Sequence, residues 1–198
     1  TTANLAYTGA SSLKENGDPT GNLIVEGYFR YNLWDREGTK LPYNVGSYLG
    51  KKKVLALGTG FFLHPNGMYN TANGEHENVA HLAVDAFMEY PLTKGNMIHA
   101  YASLINFNYG ENYVSRWAGT GTNFYAQFGF FAKKAKLMPY IAYQTGNYEG
   151  YADPLTSLDI GVNYFVNGHH CKVTLEYHKN TGAVDATAQL RFQLHVFL

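Results

Sequence analysis

The stretch from Thr187 to Leu198, T-A-Q-L-R-F-Q-L-H-V-F-L, decides the fold class of this chain. Its residues alternate between apolar and polar along its length. The apolar set is Ala188, Leu190, Phe192, Leu194, Val196 and Leu198, and the polar set is Gln189, Arg191, Gln193 and His195. Because successive side chains of a β-strand point to opposite faces, the stretch is predicted to be a strand with one apolar and one polar face.

The same alternation recurs upstream and predicts about ten strands. They are expected near Thr1–Gly9, Gly21–Leu33, Lys53–Leu63, Val79–Tyr90, Asn96–Asn108, Thr122–Ala132, Leu137–Thr145, Thr156–Val166, Cys171–His178 and Thr187–Leu198. Repeated alternating segments separated by turn residues are typical of transmembrane β-barrels. Residues 1–198 are therefore predicted to form a single all-β domain, an antiparallel transmembrane β-barrel. The long link Trp34–Lys52 is the candidate for a short helix or a structured plug.

The composition fits this class and argues against others. The formal net charge is zero, which argues against nucleic-acid binding, because that needs a basic surface. Aromatic residues make up 16% of the chain, with 17 Tyr and 12 Phe, and Tyr suits a membrane–water boundary. A mean hydropathy of −0.27 does not exclude a membrane protein, because a barrel hides its hydrophobicity in alternation. With Cys171 as the one cysteine, no internal disulfide can form.

The predicted connections divide the charges between two ends. One end is basic, with Arg36, Lys40, Lys51, Lys52, Lys53, Lys94, Lys133, Lys134 and Lys136 against Asp35 and Glu37. The other holds Glu15, Asp18, Glu75, Glu77, Glu111, Glu149, Asp153 and Asp185 against Lys14 and Arg116. The acidic loops could bind divalent cations beside lipopolysaccharide, and the basic rim could face anionic cell-wall material. The alternative, that turns are simply where charges stay solvated, is equally open.

The polar face of the strands is predicted to line a lumen. A Lys or Arg on the lipid face costs about 2–4 kcal/mol at mid-bilayer, so the charges belong inside. The predicted lining residues are Glu26, Arg30, His81, Asp85, Glu89, His99, Asp159, Lys172, Glu176, Gln189, Arg191 and His195. Small residues at Ala56, Gly58 and Gly60 would leave local space there. A soluble β-sandwich, with the apolar face as its core, is the competing interpretation.

The sequence gives little support for catalysis or metal binding. His169 and His170 are adjacent and diverge, which favours a solvated turn over a metal pair. His81, Asp85 and Glu89 share a face, but strand residues four apart lie about 13 Å from each other, too far for a hydrogen-bonded dyad. Cross-strand pairing could still bring a histidine and an acid together. No metal, no cofactor and no enzymatic activity are predicted.

Two motifs carry a family resemblance. They are L-P-Y-N-V-G-S-Y-L-G-K-K-K-V at Leu41–Val54 and N-Y-F-V-N-G-H-H-C-K-V-T-L-E-Y at Asn163–Tyr177. Both resemble the C-terminal half of Gram-negative outer-membrane porins of the phosphate-selective porin O/P family. The resemblance implies a larger barrel of about sixteen strands, commonly trimeric, in the outer membrane. Phosphate selectivity is not carried over, because the lining set lacks a ladder of basic residues.

The resemblance also implies a C-terminal assembly signal. Outer-membrane barrels usually end on an aromatic residue, whereas this chain ends on Leu198. The signal is assigned to Phe192, Leu194, Val196, Phe197 and Leu198. The expected partners are the bilayer, lipopolysaccharide, the outer-membrane assembly machinery, and a homotrimer or larger envelope complex.

The leading functional hypothesis is a porin for passive, weakly selective diffusion of small hydrophilic solutes. A lumen-plugged structural subunit of an envelope assembly is the alternative, and a barrel hydrolase is the third hypothesis.

Overall fold

The computed structural model describes residues 2–9, 22–38, 46–70, 73–111 and 119–197. The ten strands are β1 (Thr2–Gly9), β2 (Leu23–Asn32), β3 (Val54–Asn70), β4 (Glu75–Pro91), β5 (Met97–Asn108), β6 (Gly121–Phe131), β7 (Leu137–Tyr148), β8 (Leu155–Asn167), β9 (Cys171–Gly182) and β10 (Thr187–Val196). A 3₁₀ turn at Thr93–Gly95 joins β4 to β5. Within the described ranges, no helix is long and apolar enough to cross a membrane.

The strands form one sheet in which each pairs with its neighbours in the chain. The order runs from β1 to β10, and all nine pairings are antiparallel. The predicted all-β antiparallel organisation is confirmed. In the described part of the chain β1 does not pair with β10, so the sheet is open, with these two strands as its edges.

The β3–β4 hairpin is longer than predicted. The sequence predicted a loop over His64–Asn78, but β3 continues to Asn70 and β4 begins at Glu75. Pro65, Asn66 and Gly67 lie at a register shift between His64 and Met68, and Asn66 has a φ of 53°. A β-bulge accommodates such residues inside a strand, which is why the prediction was wrong here.

The two faces of the sheet differ as the alternation predicted. Leu82 remains 62% exposed and Phe192 72% exposed. Each strand from β2 to β10 carries such exposed large apolar side chains, for example Leu23, Leu57, Leu82, Leu104, Phe128, Ile141, Ile160, Leu175 and Phe192. The buried charged residues of the strands, Arg30 and Glu89, belong to the opposite face. In a soluble sandwich the apolar face would be the covered one, and here it is the exposed one.

The buried core lies on the polar face, beneath the link between β2 and β3. One apolar cluster there consists of Met97, Phe131, Met138 and Phe165, and Leu49 of the link packs against it. A second consists of Val54, Ala56 and Phe87, against which Tyr48 packs. The described parts of the link, 33–38 and 46–53, contain no helix, and residues 39–45, with Lys40 and part of the Leu41–Val54 motif, lie outside the described residues.

The space predicted at Gly58 and Gly60 is filled by a tyrosine. A Cβ added to Gly58 would stand too close to Tyr28 Oη and Asp85 Oδ2 to be accommodated, and the Tyr28 ring also lies against Gly60. The sequence alone does not reveal that this space is filled, because the filling depends on how β2 pairs with β3. Tyr28 of β2 pairs with Gly60 of β3, and its side chain extends diagonally over Gly58.

Replacing Gly58 by alanine is expected to destabilise the protein by about 1–3 kcal/mol, the usual cost of overpacking. The new methyl group would displace Tyr28 and Asp85. Denaturant unfolding would measure the loss. Adding Tyr28→Ala should make the double variant cost less than the sum of the singles, since the two residues compete for one space. Strict additivity would contradict the contact.

Candidate functional site

The twelve residues predicted to line a lumen all lie on the polar face. The cross-strand register connects them, for example through the partners Arg30, Gly58 and Asp85 and through Glu89 and His99. Arg30, Glu89 and His99 are buried; His81, Asp85, Asp159, Lys172 and Glu176 are partly buried; Glu26, Gln189, Arg191 and His195 are exposed. The last three lie on edge strand β10, where one side has no neighbouring strand.

Arg30 is the centre of a buried ionic network. Its Nε lies 2.5 Å from Glu37 Oε2, and its Nη1 lies 3.3 Å from Asp85 Oδ1. Tyr28 Oη donates to Asp85 at 2.8 Å, and Tyr48 Oη donates to Glu37 at 3.1 Å. A buried charge is tolerated only when it is paired and hydrogen-bonded, and this network satisfies that condition. It ties the β2–β3 link to the wall of the sheet.

Glu89 holds the same link at a second place. Its side chain is 0% exposed. Oε2 accepts hydrogen bonds from Ser47 Oγ at 3.0 Å and from the Tyr48 amide at 2.8 Å, and Oε1 accepts one from the Gly50 amide at 2.8 Å. Three donors satisfy a buried carboxylate without a cation. Residues Gly46–Gly50, called the inner segment below, are thereby fixed over the polar face.

The backbone of the inner segment adopts a strained conformation. Leu49 has a φ of 52° and Gly50 a φ of 75°. A leucine in this left-handed region costs on the order of 1–3 kcal/mol and persists where the surroundings fix it. Here the Leu49 side chain packs into the Met97 cluster. The Ser47 carbonyl also accepts a bond of 2.8 Å from His169 Nε2.

His169 couples the β8–β9 turn to the inner segment. Desolvation lowers the pKa of its ring below the usual value, and the hydrogen bond to the Ser47 carbonyl opposes this shift only in part. A carbonyl oxygen can only accept, so the His169 ring carries a proton on Nε2 in this contact. The sequence predicts a solvated turn at His169 and His170, and both residues are largely exposed.

Two adjacent strands bring a histidine and two carboxylates together. His178 Nδ1 is hydrogen-bonded to Asp159 Oδ1 across the β8–β9 pair. Glu176 accepts from Tyr140 Oη at 2.6 Å and from Arg191 Nη1 at 3.2 Å. One potential ligand atom from each of Asp159, Glu176 and His178 lies within 4.8 Å of the others. Because Arg191 supplies a positive charge to Glu176 and Tyr140 donates a hydrogen bond to it, the arrangement forms a satisfied polar network without a metal.

Two cavities lie on the polar face beside the inner segment. The larger has a volume of about 620 Å³ and includes Asp159, Lys172 and Glu176 in its lining. The smaller has a volume of about 470 Å³ and reaches Arg30 and Asp85. The residues common to both linings are Gly46, His99, Tyr125 and Gln127. Among described atoms, His99 Nδ1 is buried and has no hydrogen-bond partner.

Lys172 is the unpaired charge of the larger cavity. Asp159 is bonded to His178, and Glu176 is paired with Arg191. Within the described part of the chain, the Lys172 ammonium has no ion-pair partner. The larger cavity is lined by two cations, Lys172 and Arg191, and by two carboxylates, Asp159 and Glu176, so the formal charges of its wall balance.

The antiparallel topology places the described members of the two predicted charge sets at opposite ends of the sheet. The links β2–β3, β4–β5, β6–β7 and β8–β9 meet at the basic end. Trp34 and Tyr90 make an edge contact there with ring centroids 5.9 Å apart, and Lys53 Nζ lies 4.6 and 4.9 Å from those rings. Aromatic rings with a lysine are typical of membrane–water interfaces.

The acidic end holds a third cavity, of about 430 Å³, lined in part by His76, Glu77, Glu111 and Glu149. Glu77 accepts bonds from Asn70 and from the Glu111 amide. The divalent-cation hypothesis for these loops stays a prediction, and Glu15, Asp18 and Arg116 lie outside the described residues.

The predicted assembly residues Phe192, Leu194 and Val196 lie exposed on the apolar face of β10. The Phe197 amide donates to the His170 carbonyl at 2.8 Å, and Leu198 lies outside the described residues.

Sequence reasoning missed several residues of the site. Glu37 and Ser47 belong to a link whose fold no periodicity predicts. Tyr28, Tyr125 and Tyr140 could have been found, because each shares the strand parity of a predicted lining residue or its register partner.

The chain matches no protein-family model, no curated protein and no solved structure.

Proposed function

We propose that this protein is a β-barrel pore of a Gram-negative outer membrane, through which small hydrophilic solutes diffuse passively and with weak selectivity. The observation that carries the proposal is the inverted sheet: its apolar face is exposed, while its polar face is covered and bounds cavities.

The exposed apolar face is the argument for a bilayer. Soluble monomers rarely expose contiguous apolar patches larger than a few hundred Å². Here apolar side chains are exposed on nine consecutive strands, from Leu23 on β2 to Val196 on β10. In a hydrocarbon environment this apolar exposure carries no free-energy cost. Strands β2–β10 contain 10 to 17 residues, which is long enough to cross a bilayer, since a transmembrane strand needs about 9–11 residues.

A bilayer also requires that the two sheet edges be paired. Unpaired backbone groups cost several kcal/mol each in hydrocarbon, so only closed sheets span membranes. In the membrane, β1 and β10 therefore pair with each other or with further strands. The resemblance to porins of the phosphate-selective O/P family stays a prediction, and a larger barrel or a trimer would agree with it.

The remaining partners follow from the two ends. The aromatic and lysine contacts at Trp34 suit the periplasmic interface, and the acidic end would then face lipopolysaccharide and its cations. The exposed apolar residues at the end of β10 are the part proposed to engage the assembly machinery. No cofactor is needed for diffusion.

A second candidate is a plugged structural subunit of an envelope assembly. The specific observation in its favour is the inner segment, which occupies part of the polar face and is fixed by Glu89 and Arg30. A fully occluded lumen would leave the barrel as a scaffold.

Planar-bilayer recording of the protein extracted from its membrane separates these functions. We expect discrete conductance steps in salt solution. A heat-modifiable band on a gel would show that the inserted barrel is folded. Folded, inserted protein that never conducts would overturn the pore and favour the scaffold. Protein that stays in aqueous solution without detergent would overturn both.

A further inference from the structure

We propose that the inner segment is the size-limiting constriction of the pore, that solutes pass at Gly46, and that Glu89 is the residue that positions it. Because a constriction needs a conducting pore, this role rests on the function proposed above.

The inner segment is fixed in place by two kinds of contact, hydrogen bonds and apolar packing. Glu89 binds it through the amides of Tyr48 and Gly50 and through Ser47 Oγ, and its side chain is fully buried. Tyr48 and Leu49 anchor it in the two apolar clusters. A segment held both by a satisfied carboxylate and by partly buried side chains that pack against apolar clusters keeps one position, as a size filter must.

Gly46 marks where the segment borders the free path. It is one of four residues that line both the larger and the smaller cavity. A Cβ added there would meet no described atom within 4 Å, and its φ is not in the left-handed region. A side chain at this position would therefore meet no described part of the chain and would need no strained backbone.

The other residues that line both cavities indicate which solutes the constriction lets pass. The other shared lining residues are His99, Tyr125 and Gln127, which offer hydrogen-bonding groups and no carboxylate, lysine or arginine. His99 Nδ1 lacks a partner among described atoms. A polar wall without fixed charge discriminates by size and hydrogen bonding, so the solutes that pass are small polar molecules, charged or not.

The test places a single thiol in the path. The full-length protein carries Cys171→Ser, to remove its own cysteine, together with Gly46→Cys. The matched control is Gly38→Cys, which lies in the same link, is exposed, has no described atom within 4 Å of an added Cβ and lines neither cavity. The probe is a methanethiosulfonate reagent that attaches an ethylsulfonate group through a disulfide and releases sulfinate.

Labelling at Gly46→Cys is expected to reduce single-channel conductance about twofold or more, because it narrows the tightest part of the path. Labelling at Gly38→Cys should leave conductance unchanged. Mass spectrometry confirms that both thiols have reacted. Equal effects at the two positions, or none at a labelled Gly46→Cys, would overturn the constriction. Absence of conductance before labelling would overturn the pore function itself.

Glu89→Gln tests the positioning role separately. The amide keeps the volume of the carboxylate and weakens the bonds to Tyr48 and Gly50. We expect larger or more variable conductance steps and a smaller block at Gly46→Cys. Unchanged steps and an undiminished block would show that Glu89 does not position the constriction.

Discussion

Replacing Val84 by arginine is expected to lower the free energy of unfolding in a lipid bilayer by about 2–4 kcal/mol, because a cationic side chain is unfavourable at the bilayer midplane. Val84 lies near the middle of β4 and is 52% exposed on the apolar face. In water the same change at an exposed site would alter stability by less than about 0.5 kcal/mol. Urea unfolding of the protein in phosphatidylcholine vesicles, followed by tryptophan fluorescence, measures the difference.

Val166→Arg is the matched control. Val166 is 41% exposed on the same face, but it lies at the basic end, where its carbonyl accepts a bond from Lys136 Nζ. An arginine there can extend to the interface, so a cost of about 0–1 kcal/mol is expected. Equal, small costs at both valines would contradict the placement of the apolar face in lipid.

Replacing Glu89 by alanine is expected to destabilise the protein by about 3–5 kcal/mol, because three donors lose a buried charged acceptor. The affected groups are Ser47 Oγ and the amides of Tyr48 and Gly50. Faster amide hydrogen exchange should appear first at Tyr48 and Gly50. Denaturant titration with exchange mass spectrometry in the same vesicles measures both effects.

Glu26→Ala serves as the control for that loss. Glu26 lies on the same polar face and is exposed, so its removal should change stability by less than about 0.5 kcal/mol. If Glu89→Ala were equally mild and left exchange at Tyr48 and Gly50 unchanged, the inner segment would be held by its apolar contacts alone.

The strands and their faces follow from local sequence. Leu190 and Phe192 face the side opposite Gln189 and Arg191 because alternation is a property of every extended chain. The bulge at His64–Met68 was missed for a related reason. Pro65 and Gly67 have the same turn preference in a loop and in a bulge, and only the pairing with β4 distinguishes the two.

The contacts of the site depend on which strands become neighbours. The sequence rules out a dyad between His81 and Asp85 on one strand, yet it cannot show that His178 meets Asp159 across the β8–β9 pair. That contact needs the register between two strands, which the turn and the paired faces set together.

The sequence by itself determined the all-β class, the polar and apolar faces and the separation of charge between two ends. The tertiary structure alone decided that β1 and β10 stay unpaired within the described residues, that Tyr28 fills the space at Gly58, and that Gly46–Gly50 of the β2–β3 link fold back onto the polar face. Periodicity determines on which face of its own strand a side chain lies, but not which residues of other strands it contacts. The position of Ser47 against Glu89, 42 residues away, depends on contacts that exist only once the strands have paired.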